Sequence, residues 1–169
     1  MPTIGVAIAI PEPWADVLQQ HRVAFGDAQA DAIPTHITVV PPTVVDDELP
    51  LVEGHLEKVA GMHGAFRLLL RGTGTFRPVS PVVFVAVSQG ISSCELLAES
   101  ARRGPLKQDL EFPYHPHVTV AHDLDEVDLD RAFDALGDFE AAFDVSEVHL
   151  YVHGDDGVWR PVKTFSLTG

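Results

Sequence analysis

The chain has 169 residues, 46% hydrophobic and 21% charged, which fits one globular domain filling its own core and excludes a disordered tail or a fibrous repeat. Eleven Lys and Arg stand against 25 Asp and Glu, a formal charge of −14, so a general basic face for long-duplex nucleic acid is excluded, while a small anion held by a few local groups is not. The single Cys94 permits no internal disulfide and no CxxC pair, no run reaches the roughly 18 apolar residues of a bilayer span, and the opening MPTIGVAIAIPEPW lacks the charged start of a signal peptide; a soluble cytoplasmic monomer with no membrane partner is expected.

Residues 3–10 (TIGVAIAI) are short, apolar and closed by Pro11 and Pro13, which predicts a buried strand. A helix follows over 13–25, with Trp14, Val17, Leu18 and Phe25 on its inner stripe and Gly26 as its stop. The β-branched run 35–40 (THITVV) reads as a strand ending at Pro41-Pro42. Asp46 and Asp47 are placed to cap a helix to about residue 60 with Leu49, Val52, Leu56 and Val59 inward, and 66–76 (FRLLLRGTGTF) reads as a strand running into a Gly-rich turn. From 82 the order repeats. A buried strand, VVFVAV (82–87), precedes a helix opened by a Ser92/Glu95 capping box and stopped at Gly104-Pro105. The strand HVTVA (117–121) follows, then a helix capped by Asp125 with Leu129, Ala132, Phe133 and Leu136 inward, and strands near 142–152 and 158–167 joined by the turn 154–157.

A β-α-β-α-β unit over about 3–76 and a β-α-β-α-β-β unit over about 82–167 emerge from this order, a duplicated β-α-β-α-β plan without a linker between the copies. The repetition lies in order and spacing, since residue identity between the halves is low. The same short signature recurs at the same place in each: His36-Ile37-Thr38-Val39 and His117-Val118-Thr119-Val120. Strand side chains alternate faces, so each copy presents an imidazole and a hydroxyl side by side while Ile37, Val39, Val118 and Val120 point into apolar packing. If both strands line one cleft, one neutral imidazole can take a proton from water, the other can protonate a departing oxygen, and Thr38 and Thr119 can donate to phosphoryl oxygens. That array suits phosphodiester chemistry without a metal or other cofactor. Nine His and nine Thr in 169 residues make a single His-x-Thr uninformative; two copies, both in strands and both at equivalent places, carry the reading.

Competing readings exist for several residues. His115, His117, His122 and Asp123 have metal-ligand chemistry, but His122 falls on the other strand face from His115 and His117, so the three imidazoles cannot converge without a bend. His115 is read instead as a cleft-rim residue contacting substrate. Phe76, Phe112 and Tyr114 offer stacking surfaces for a base, with core packing as the alternative. Arg77, just after the Gly-rich turn, is the cation best placed for a phosphate contact. GTG at 72–74 matches no phosphate-cradling loop and reads as a turn.

Paired HxTx motifs 81 positions apart, the second as PHVTVAH after Phe112 and Tyr114, with GTGTF (72–76) and an apolar strand between them, resemble the two-histidine phosphoesterase superfamily, the group of 2′-5′ RNA ligase-like proteins and RNA 2′,3′-cyclic phosphodiesterases. The resemblance implies a bilobal α+β fold with pseudo-twofold symmetry, antiparallel-rich sheets and a cleft between lobes. It further implies His36 and His117 as acid and base, Thr38 and Thr119 as phosphate ligands, and a metal-independent activity on 2′,3′-cyclic phosphates or 2′-5′ linkages. The acidic surface departs from what long RNA requires and favours a small nucleotide or RNA end as substrate. A non-catalytic nucleotide-binding module with the same cleft is the alternative.

Overall fold

The structure is a computed structural model that describes residues 1–46 and 49–169. In chain order its elements are β1 (Thr3–Ala9), α1 (Trp14–Ala24), β2 (His36–Val44), α2 (Leu49–Met62), β3 (Phe66–Thr75), β4 (Val82–Gln89), α3 (Ile91–Ala101), a 3-10 turn (Gly104–Leu106), β5 (His117–His122), α4 (Glu126–Ala135), β6 (Glu140–Val145), β7 (Glu147–His153) and β8 (Trp159–Ser166). They form two four-stranded sheets, ordered β2-β1-β7-β8 and β5-β4-β3-β6, with antiparallel pairing throughout. The fold is α+β, as expected.

Matched by position, β2 corresponds to β5, β1 to β4, and β7 to β3. The sheets therefore do not follow the two halves of the chain. β3 leaves the first half to pair between β4 and β6, and β7 leaves the second half to pair with β1. The helices cross over as well: α1 packs on β5 and α3 on β2, while α2 lies on β7 and β8 and α4 on β3, β4 and β5. One continuous apolar core results, containing Ile4, Val6 and Ile8 of β1 together with Val83 and Val85 of β4.

Several local expectations are corrected. β2 continues through Pro41-Pro42 to Val44. It lies at a sheet edge, and its pairing with β1 is irregular between Val40 and Thr43, so the missing proline N–H groups break no inner ladder. On α1, Val17 is exposed and Arg22 is buried in its stead. Phe133 on α4 is 37% exposed while Leu129, Ala132 and Leu136 are buried. The capping box at Ser92 does not form, because the N-cap of α3 is Gly90, two residues earlier, whose φ of 97° favours glycine. Asp125 occupies the N-cap of α4 without a side-chain cap bond. The Asp47 cap lies outside the described residues, and Asp46 is described as non-helical. The strand expected near 142–152 is two strands that part at Ser146 to join different sheets.

Candidate active site

Strand alternation places the two motifs as the sequence implies. Ile37, Val39, Val118 and Val120 are sealed in the core at 1% exposure or less, while His36, Thr38, His117 and Thr119 are half-buried on the opposite faces. β2 and β5 are the equivalent edge strands of the two sheets, and they lie against one another. The Tyr114 hydroxyl joins them, donating to the Thr38 carbonyl at 2.7 Å.

Each histidine is held in the same way. His36 Nδ1 donates to the Pro34 carbonyl at 2.6 Å, and His117 Nδ1 to the His115 carbonyl at 2.7 Å. A carbonyl only accepts, so both neutral rings carry their proton on Nδ1 and present a bare Nε2 lone pair. Burial lowers the proton affinity of His36, against the Pro34 hydrogen bond and with the positive charge of Arg22 adding to it. Burial likewise lowers His117, to about 4, opposed by the His115 carbonyl and reinforced by positive charge on His115 and His36. Positive charge on His36 is thus felt at His117 across the strand pair.

The two sheets differ around their histidines. Beside His117 the space is filled: its ring meets the edge of Phe76 at 4.9 Å and Phe84 at 5.2 Å. His115 is exposed at the rim and packs on the same two rings at 5.4 and 5.1 Å. Phe84 pairs with Thr119 across β4 and β5 and lies over Gly74, where a Cβ would come within 2.6 Å of its ring. Beside His36 the space is open. Ala7 pairs with Thr38, and with Gly5 it leaves a recess bounded by Pro34, Tyr151 and Trp159.

Several other expected groups have partners or settings of their own. Arg77 donates to Glu126 at 3.0 Å and Asp130 at 2.8 Å, both on α4, so its guanidinium is paired with two carboxylates. Phe112 is 59% exposed. His122 lies 3.8 Å from Asp123, and among the described residues no group of three His, Cys, Asp or Glu side chains is placed to hold a metal ion. Sequence reasoning passed over Phe84, Trp159 and Arg22. Arg22 had one signal, its place four residues after Leu18 on the inner stripe of α1; its Nε meets the buried Asp27 carboxylate at 2.7 Å.

Two antiparallel sheets whose edge strands carry matched His-x-Thr motifs and lie against one another define the class of two-histidine α+β proteins. The family model of the 2′-5′ RNA ligase superfamily matches residues 10–157, and the chain belongs to that superfamily. Among its relatives, a candidate phosphoesterase of Halalkalibacterium halodurans is 27% identical over 96% of both chains, and one of Bacillus mycoides is 30% identical over 80% of both. Among solved structures, Escherichia coli LigT complexed with 3′-AMP superposes with a TM-score of 0.68 at 23% identity, covering 99% of each chain. LigT complexed with NADP+ gives 0.66 at 22%, covering 99% of this chain and 98% of the other. At those identities the structural likeness speaks for the fold.

Proposed function

We propose that the protein is a metal-independent phosphodiesterase that hydrolyses 2′,3′-cyclic phosphates or 2′-5′ linkages of small nucleotides or RNA ends through His36 and His117. The observation that carries this reading is the matched setting of the two rings: both bear a bare Nε2, both are tied through Nδ1 to the carbonyl two residues back, and both stand on edge strands that meet. One Nε2 accepts a proton from water as its oxygen attacks phosphorus. The other ring, protonated, gives its proton to the ribose oxygen as the P–O bond breaks, so charge balances over the step. Thr38 and Thr119, beside the rings, donate to the non-bridging oxygens, where the transition state concentrates negative charge. The candidate phosphoesterase relatives support the reaction class, and the 3′-AMP and NADP+ bound to LigT support a nucleotide ligand.

Incubation with nucleoside 2′,3′-cyclic monophosphates in EDTA tests the reading. Turnover is expected to persist in chelator, and His36→Ala and His117→Ala each to lower kcat by about 10²- to 10⁴-fold. Turnover that stops in chelator, or survives in both variants, would overturn it; tight nucleotide binding without turnover would identify a binding module instead.

A further inference from the structure

We infer that the recess beside His36 is the subsite for the heteroaromatic base of the nucleotide whose phosphate lies between the two motifs. This inference rests on the phosphodiesterase reading and adds to it the side of the cleft on which the nucleoside sits. The ground for it is the asymmetry between two otherwise equivalent sheets. At the position next to Thr119 stands Phe84, whose ring, with Phe76, fills the surface of its sheet. At the equivalent position next to Thr38 stands Ala7, and Gly5, two residues before it on the same strand face, is also without bulk. One sheet thus supplies its own aromatic filling, and the other leaves the same space empty against the same His-x-Thr pair.

The walls of the empty space suit a flat ring. Trp159 stands over the Gly5 floor at a distance where a Cβ would meet its ring carbon at 3.4 Å. Tyr151, paired with Gly5 across β1 and β7, forms a second aromatic side, and Pro34 and Ile33 close the side next to His36. The segment between α1 and β2 that carries Ile33 and Pro34 is fastened to this wall because the Trp159 backbone N–H donates to the Ala32 carbonyl at 2.9 Å. Trp159 is also steadied by the His153 ring at 4.8 Å. Every base has a π-face, so such a site binds bases with little sequence preference and gains from stacking. Because His36 and Thr38 themselves line the recess, a nucleotide seated there brings its phosphate to the first motif without leaving the cleft.

The test compares a substrate with a base and one without: adenosine 2′,3′-cyclic monophosphate and glycerol 1,2-cyclic phosphate. The ratio of their kcat/KM values in the wild type is expected to fall by about tenfold or more, the scale of one base–aromatic stack, in Gly5→Leu, which fills the floor, and in Trp159→Ala, which removes the wall. Two substitutions on different strands guard against one failing to fold. In parallel, Trp14→Phe leaves Trp159 as the sole tryptophan of the chain's two; 3′-AMP is expected to quench its fluorescence, and inorganic phosphate is not. An unchanged ratio in folded Gly5→Leu and Trp159→Ala proteins, or equal quenching by 3′-AMP and phosphate, would overturn the subsite. A wild type that turns over neither cyclic phosphate would instead overturn the phosphodiesterase reading, and the fluorescence comparison would then decide the recess alone.

Discussion

His36 and His117 both hold a proton less tightly than free imidazole, His117 to about 4, chiefly because their charged forms are cut off from water. For an acid–base pair, kcat/KM is greatest between the two proton affinities of the free enzyme. With both lowered, that maximum is expected on the acid side of pH 6.5; a profile of kcat/KM against pH that peaks at 7.5 or above would contradict the assignment. The same feature links to stability. The unfolded chain titrates His117 near 6.5 and the folded one near 4, so between these values the unfolded state binds a proton that the folded state refuses, and stability falls as pH drops through that window. His117→Gln is expected to flatten part of this fall, read as the urea midpoint at pH 7 and pH 5.

Among the elements, the segment entering β5 carries the contact most exposed to test. The Tyr114 hydroxyl is bonded to the Thr38 carbonyl at 2.7 Å and ties the segment entering β5 to β2. Tyr114→Phe keeps the ring and removes only that bond, so a stability loss of about 0.5–1.5 kcal/mol is expected, with a fall in kcat/KM because the strands are no longer tied; unchanged kinetics would show that the bond does not position the motifs. Much at this scale was legible in the sequence. Alternation along HITV and HVTV told which side chains share a face, and Gly26 ended α1 at a φ of 90°. What escaped depended on distant partners. Nothing local says that β2 is an edge strand able to carry two prolines, or that the chain changes sheets at Ser146. The pairing of Arg77 with Glu126 and Asp130 likewise depends on where α4 packs. Phe84 and Trp159 look like ordinary strand aromatics until pairing sets one against Thr119 and the other over Gly5.

For the molecule as a whole, a formal charge of −14 bears on which substrates the proposed phosphodiesterase takes. A short nucleotide meets only the local field of the cleft, whereas each further phosphate of a long RNA adds repulsion from the acidic surface, and dilution of salt strengthens it. KM for a 20-nucleotide RNA bearing a 2′,3′-cyclic end is therefore expected to be no lower than for a dinucleotide and to rise as salt is reduced. Steady-state kinetics at two salt concentrations checks this, and a KM that falls at low salt would contradict it. The exchange of β3 and β7 between sheets governs how the molecule comes into being. A ribosome that has released residues 1–80 has made β1 and β2 but not the β7 that flanks β1, and it has made β3 without either neighbour. A split protein cut between Phe76 and Val82 should accordingly yield two pieces that are idle apart and that complement one another when mixed, and the inner flank of β1 stays unpaired until translation has passed His153.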